Sequence, residues 1–370
     1  MITVKKSHAG RSAAPRSLPL VRVRGSYRQM GRQIGEAMAP AVRRMVDTYK
    51  QAVSDAYDKL EMTWRDAVLQ ARKYYPFAQE YTPHYAEELE GMAEGSGADL
   101  DDLLVINCAE AILEDRFVLG CTSLAVSAER TQDGHVLVGH NEDWLPEDEE
   151  NAFLVHATPD GEPPFLAITY GGLIPNIGFN AAGIAQCCDS VYPNDVRVGI
   201  PRLFVSRGVL GQTRLSEAIR TTLMRWRAAG YNHLIAHASG EMYNVEVSAR
   251  HFATIYGLDG YLVHTNNYLT QRMKQFEHKT EDLIGSRVRV NRAQRLIRNV
   301  HLHSTETLKT ILSDHVNFPN SICSHSEEDL RPLDRQKTIA TLIMDLTALE
   351  MHVCWGNPCE GTFETYRLEA

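Results

Sequence analysis

The apolar residues of this chain change their spacing at Gly120, and that change limits the folds open to it. Before Gly120 they recur every three or four positions: Met30, Ile34, Met38, Val42, Met45, Tyr49, Val53 and Tyr57 fall on one helical face. Ser26 with Gln29 predicts a capping box at the start of that helix. Pro40, which lacks the amide that would bond one turn back, predicts a kink or a restart. Further helices are predicted from Thr63, in "TPHYAEELEGMAEG" with Pro83 in its first turn and Gly95 as its stop, and in "ADLDDLLVINCAEAIL" capped by Asp99. After Gly120 the period falls to two, the signature of strands. Four hairpins are predicted: "TSLAVSA" with "HVLVGHN", "AFLVHA" with "FLAITY", "NHLIAHA" with "MYNVEVS", and "FATIYGL" with "YLVHTNN" around Asp259-Gly260. Helices return at "RLSEAIRTTLMRWRAAG", "SRVRVNRAQRLIRNV" and "STETLKTILSDH", and strands close the chain at "TIATLIMDL", "EMHVCW" and "TFETYRL". No repeat or Pro/Ser-rich linker separates the halves, so one α+β domain is expected rather than two.

Composition narrows the function classes. A chain of 370 residues with 44% hydrophobic content has ample core. A formal net charge of −9 argues against nucleic acid as partner, since phosphate contacts need clustered Lys and Arg. The opening "MITVKKSHAGRSAAPRSLPLVRVRG" carries basic residues without a continuous apolar run, and no stretch of about 18 apolar residues occurs anywhere. The expectation is a soluble, unexported protein with a loose N-terminal tail and no membrane partner. Seven scattered cysteines, an odd number, suit a reduced cytoplasm better than a disulfide framework.

The stretch "GCTSLAV" sets Cys121 at the start of a strand, directly after the residue with the freest backbone. A cysteine that becomes the first residue of a chain supplies nucleophile and general base together, because an α-amine has a pKa of ~8 and reaches its own thiol. Making that terminus requires the Cys121 thiol to attack the Gly120 carbonyl and water to hydrolyse the thioester. The plainer reading is a small buried hydrophobe at a strand start, and residues downstream choose between the two. The first hairpin returns "GHNEDW" to the side of Cys121, so Asn141 and Asp143 are expected near it on one face. There Asp143 is the candidate to hold the new amine and Asn141 to anchor substrate or backbone. In "HTNN", Asn266 rather than Asn267 is the candidate oxyanion donor. In "GSRVR", Arg287 is expected to pair with Asp143 while Ser286 assists.

Other features are weighed the same way. The acidic run Glu142, Asp143, Glu147, Asp148, Glu149 and Glu150 is either a solvated loop or an attraction for a cationic substrate. His140 is the only base near the thiol if Cys121 works without scission. His233 and His237 lie in a hairpin with no third ligand following, and the spacing of Cys354 and Cys359 fits neither a redox pair nor a zinc pair. No metal and no cofactor are expected.

In their order along the chain, "RGSYRQMGRQIGEAMA", "GCTS", "GHNEDW", "HTNN", "NFPNSICSH" and "WGNPCEGTFETYRL" resemble the isopenicillin N acyltransferase family of self-processing cysteine peptidases, within the N-terminal nucleophile hydrolases. The resemblance implies a four-layer αββα fold and cleavage between Gly120 and Cys121. Residues 1–120 then form a helical α chain that stays associated, and 121–370 a β chain. It also implies that Cys121 is the nucleophile, Asp143 the carboxylate near its amine, Asn266 the oxyanion donor, and Ser286 with Arg287 a supporting pair. The related bile salt hydrolases carry Arg where this chain has His140, so their acyl preference does not transfer. Asp189 falls near a second oxyanion amide of those relatives but is an acid here. The activity implied is amide hydrolysis on an N-acylated small amine. The alternatives are acyl-CoA-dependent N-acyl transfer and an inactive binding homologue. The sequence leaves association of several copies open.

Overall fold

The computed structural model describes residues 17–108, 120–278, 281, 283–331 and 334–369. Most of the expected N-terminal tail, and the "AEAIL" end of the helix capped by Asp99, lie outside the described residues. Strand β1 (Leu20–Gly25) is followed by helices α1 (Tyr27–Asp55), α2 (Tyr57–Leu60), α3 (Trp64–Ala71), α4 (Tyr75–Tyr81), α5 (Pro83–Ser96) and α6 (Leu100–Asn107). Then come β2 (Cys121–Val126), β3 (Leu137–Trp144), β4 (Ala152–Pro159), β5 (Phe165–Tyr170), β6 (Ile177–Asn180), β7 (Ile184–Ser190), α7 (Arg202–Leu210) and α8 (Leu215–Thr222). The remainder is β8 (Tyr231–His237), β9 (Met242–Val247), β10 (Phe252–Tyr256), β11 (Tyr261–His264), α9 (Gln271–Lys274), α10 (Ile284–Asn299), α11 (Thr305–Leu312), β12 (Lys337–Asp345), β13 (Glu350–Trp355) and β14 (Phe363–Arg367).

Among the described residues the strands form two sheets, one of eight in the order β1-β4-β5-β6-β7-β8-β9-β10 and one of six in the order β11-β2-β3-β12-β13-β14. The sheets pack face to face where β2 meets β7 and β8 and where β11 meets β9. Helices α1, α7 and α8 cover the larger sheet and α10 and α11 the smaller, which makes the expected four-layer αββα sandwich. No described helix is long and apolar enough to cross a membrane.

The helical segment follows its local signals closely. Ser26 caps α1 with both arms of the capping box in place, and Met38 leaves helical geometry two residues before Pro40. Gly95, however, does not end α5. The helix stops at Gly97, whose φ of +70° is the left-handed cap. Gly95 instead joins Gly91 on α5 and Gly31 and Gly35 on α1 at a backbone crossing. A Cβ on Gly95 lies 2.1 Å from the Arg32 carbonyl oxygen, and one on Gly31 lies 1.8 Å from that of Glu88. Tyr57 also departs from the predicted face, at 55% exposed.

Two strand expectations need correction. Leu20–Gly25, read as tail, is a strand paired in parallel with β4, with Val21 and Val23 inward and Arg22 and Arg24 outward. β10 and β11 are not a hairpin. β10 pairs with β9 in the larger sheet, and the chain then crosses through Asp259-Gly260 so that β11 pairs with β2 in the smaller. That crossing delivers the residues after β11 to the start of β2. The other three hairpins form as expected.

The acidic run is split: Glu147 and Glu150 are exposed, whereas Asp148 and Glu149 are folded back against the chain. Asp148 is fully buried and accepts from Asn151 Nδ2 at 3.1 Å and Tyr49 Oη at 3.4 Å, while Lys337 pairs with Glu149. Burial pushes the Asp148 carboxyl from 3.8 up to about 7, with Glu147 adding to the rise. Between these two values the native chain keeps a proton that the unfolded chain has released. The residue's contribution is therefore full below the unfolded pKa and is lost as pH rises through the folded one. Relative to Asp148→Asn, the wild type is expected to lose on the order of a few kcal/mol between about pH 4 and about pH 7, read from urea midpoints of both proteins.

Candidate active site

Cys121 opens β2, between β3 and β11, and is 3% exposed. The peptide bond ahead of it is held from both sides. The Gly120 carbonyl accepts from the Asp143 backbone N–H at 3.2 Å, and the Cys121 N–H donates to Asn266 Oδ1 at 2.8 Å. The Cys121 carbonyl accepts from Arg289 Nη1 at 2.5 Å. A Cβ at position 120 lies 2.9 Å from Gln336 Oε1 and 3.0 Å from Asp143 Oδ2, so a side chain there requires those two side chains to shift. Burial raises the pKa of the Cys121 thiol well above its ordinary value, and the charges of Glu142, Asp189 and Asp143 raise it further. The thiol stays protonated until a base takes its proton.

Strand alternation sorts the surrounding side chains. Glu142 stands directly opposite Cys121 in the ladder, which puts Asp143 on the reverse side, beside Gly120. Asp143 is buried, and burial lifts its carboxyl from 3.8 to about 6 against the lowering influence of Arg289 and of Thr338, whose hydroxyl donates to Oδ1 at 2.6 Å. Asn141, expected to anchor substrate or backbone, anchors backbone. Its amide donates to the carbonyls of Leu312 at 2.9 Å and Ile322 at 2.8 Å, and its Oδ1 accepts from Thr341 at 2.7 Å. It ties β3 to the segment after α11.

Asn266 meets Cys121 as an acceptor. Arg289 Nη2 also donates to its Oδ1, at 2.9 Å, so two donors converge on that atom and only oxygen fits there. The amide nitrogen donates to the Ser190 carbonyl at 3.1 Å. Ser286 braces this loop: its Oγ accepts from the Asn266 N–H and donates to Asn267 Oδ1, both at 2.8 Å.

The arginine of the site is Arg289, not Arg287. Arg287 pairs with Glu277 at 2.7 Å and is 41% exposed, whereas Arg289 is buried and bonds Cys121, Thr122 and Asn266. The reason is helical period. Ser286, Arg289, Val290, Ala293 and Ile297 form the buried face of α10, and Arg287 is off that face. Spacing of three from Ser286 was the signal that identifies Arg289.

On the inter-sheet side the thiol faces His140 and Glu142, the three ligand-type atoms lying within 4.8 Å of one another. His140 is already engaged at both nitrogens, by Ser123 Oγ at 2.9 Å and Glu142 Oε2 at 2.8 Å. Asp189 accepts from Ser123 Oγ at 2.7 Å and Asn232 Nδ2 at 2.9 Å, so here it is an acceptor rather than an amide donor. On the reverse side a cavity of about 280 Å³ opens against Gly120, Asp143, Ser286, Arg289, Asn320 and Gln336. His233 contacts Gln186 Oε1 at 3.0 Å, and burial lowers its pKa to about 3.

Residues 130–360 match the family model described as acyl-coenzyme A:6-aminopenicillanic acid acyl-transferase. The 40 kDa form of acyl-coenzyme A:6-aminopenicillanic-acid-acyltransferase from Emericella nidulans is 24% identical over 344 residues, 91% of this chain and 92% of that one. The β-alanyl-dopamine/carcinine hydrolase of Drosophila melanogaster is 21% identical over 225 residues, 55% of this chain and 57% of that one. Among solved structures, a mutant conjugated bile acid hydrolase from Clostridium perfringens aligns with a TM-score of 0.45 at 14% identity, over 67% of this chain and 97% of that one. Penicillin V acylase from Agrobacterium tumefaciens aligns with a TM-score of 0.43 at 13% identity, over 64% of this chain and 83% of that one. The chain belongs to the acyl-coenzyme A:6-aminopenicillanic acid acyl-transferase family.

Proposed function

We propose that this protein cuts itself between Gly120 and Cys121 and then hydrolyses the carboxamide of an N-acylated small amine through a Cys121 thioester. The observation that carries the reading is the clamp on one peptide bond, with its carbonyl on the Asp143 N–H and its nitrogen on Asn266. In the first reaction the Cys121 sulfur adds to the Gly120 carbonyl carbon, the C–N bond breaks, and the thiol proton passes to the departing nitrogen. Water then hydrolyses the thioester, leaving a Gly120 carboxylate, a free thiol and a new amine. That amine inherits the contact with Asn266 and lies beside the Asp143 carboxylate. In each turnover it takes the thiol proton as sulfur attacks the substrate carbonyl, and gives it to the leaving amine. Asn266 serves as oxyanion donor by turning its Nδ2 from the Ser190 carbonyl to the substrate. In the acidic run Glu147 and Glu150 face solvent, whereas Asp148 and Glu149 are held by Tyr49, Asn151 and Lys337.

A second reading is acyl transfer, in which an amine or a CoA thiol takes the acyl group from the same thioester. The Emericella nidulans relative favours it, being named for that reaction and aligned over 91% of this chain. Purified protein offered N-acyl amines, lactams and acyl-CoAs, with intact mass recorded alongside, separates the two. Amine release without CoA from a chain bearing Cys121 as a free N-terminus supports hydrolysis. Turnover confined to reactions supplied with CoA or its thioesters transfers the assignment to the second reading, and turnover by an uncut chain overturns both.

A further inference from the structure

Away from Cys121, the loop after α11 and the turn between β13 and β14 bring four ligand-type side chains to one point. His315, Cys323, His325 and Cys359 place their ring nitrogens and sulfurs within 4.8 Å of one another. His315 Nε2 lies 3.2 Å from His325 Nε2. His325 Nε2 lies 3.5 Å from the sulfurs of both Cys323 and Cys359, which are 3.5 Å apart. Three groups thus converge on one imidazole nitrogen, which offers a single lone pair or a single proton. Hydrogen bonding alone satisfies one of those contacts.

A cation at the centre satisfies all of them. For Zn²⁺ with bonds of about 2.3 Å to sulfur and about 2.05 Å to nitrogen, a tetrahedron has edges of about 3.8 Å between sulfurs, about 3.3 Å between nitrogens and about 3.5 Å between unlike atoms. The four edges given above fall within about 0.3 Å of these values, and the two from His315 to the sulfurs are within 4.8 Å. We propose that His315, Cys323, His325 and Cys359 form a tetrahedral zinc site of the two-thiolate, two-imidazole type. Binding displaces two thiol protons to solvent and leaves the site without net charge, which suits Cys323, a fully buried residue. Asn357 Nδ2 donates to the Cys323 sulfur at 3.4 Å and to the Ser324 carbonyl at 2.6 Å, the kind of outer contact that orients a thiolate ligand. His315 and Cys359 are exposed, which gives the ion an entry path. The spacing of Cys354 and Cys359 concealed the site, because the partner of Cys359 is Cys323.

The site reaches toward the scissile bond. Ser324, between two of the ligands, donates its N–H to Thr338 Oγ1 at 3.0 Å, and that hydroxyl donates to Asp143. The ion therefore staples the wall of the cavity beside Gly120 and takes no part in the chemistry.

The full chain, purified under a phosphine reductant without chelator, is expected to carry close to one zinc by mass spectrometry of the metal. Stripped and titrated with Co²⁺, it is expected to show the d–d bands of tetrahedral cobalt and a thiolate charge-transfer band, both lost when Zn²⁺ is added. Cys359→Ser and His315→Ala, each at an exposed position, are expected to weaken Co²⁺ binding at least about tenfold. The proposal is overturned by a reduced wild type that neither carries zinc nor gives the cobalt spectrum. It is equally overturned by a Cys323–Cys359 disulfide in freshly isolated protein, or by a cobalt spectrum that survives Cys359→Ser unchanged.

Discussion

Cys121→Ala is expected to run as one uncut chain on a denaturing gel and to lose amide turnover by about a millionfold, the scale seen when a covalent nucleophile is removed. The size follows from one residue filling two roles. In the proposed mechanism the sulfur opens the Gly120 carbonyl, and the amine thereby created takes the proton that burial otherwise holds on the thiol. Cys121→Ser retains both functional groups with a weaker nucleophile and is expected to process slowly rather than not at all. The rival in which His140 is the base and no cut occurs makes an opposite statement: an intact wild-type chain that turns over substrate. His140 starts poorly placed for that task, since Ser123 and Glu142 hold both of its nitrogens.

Arg289→Ala is expected to slow processing and turnover by about 10²- to 10³-fold, comparable to the loss of one preorganised donor at a reaction centre. Its guanidinium is buried and binds the Cys121 carbonyl, the Thr122 hydroxyl and Asn266 Oδ1. Without it, Asn266 Oδ1 loses one of its two donors and the Cys121 carbonyl loses its guanidinium partner. Single-turnover kinetics and the time course of cleavage measure the effect, and urea unfolding of the same variant separates it from general destabilisation. Arg287→Ala is the matched control, expected to stay within about twofold in both rates because its ion pair with Glu277 is at the surface on the arginine side. Equal losses in the two variants would refute the assignment of Arg289.

What was legible in the sequence is what local chemistry encodes. The capping box at Ser26, the helix start at Thr63, the interruption at Pro40 and the hairpin from Cys121 to Trp144 are decided by residues close together in the chain. The errors share a cause, a partner far away in the chain. "LVRVRG" alternates cleanly, yet only pairing with β4, more than a hundred residues on, makes it a strand. Asp259-Gly260 is a sound turn signal, but the strands it joins belong to different sheets. Gly95 has the composition of a helix stop and serves instead where two helices touch backbone to backbone. Asn141 is claimed by carbonyls at 312 and 322, and the ligand quartet draws on two separate loops. In the candidate site, Arg287 was the nearer choice by position along the chain, whereas counting the helical face from Ser286 reaches Arg289.

The parallel seating of β1 against β4 governs what a break after Gly120 does to the particle. Six residues from upstream of the break are stitched by main-chain hydrogen bonds into a ladder whose remaining members all lie downstream. The proposed scission is therefore expected to sever a covalent link without creating a separable subunit. Dilution alone is expected to leave the two fragments together, with exchange of one copy's fragment for another's waiting on the larger sheet to open.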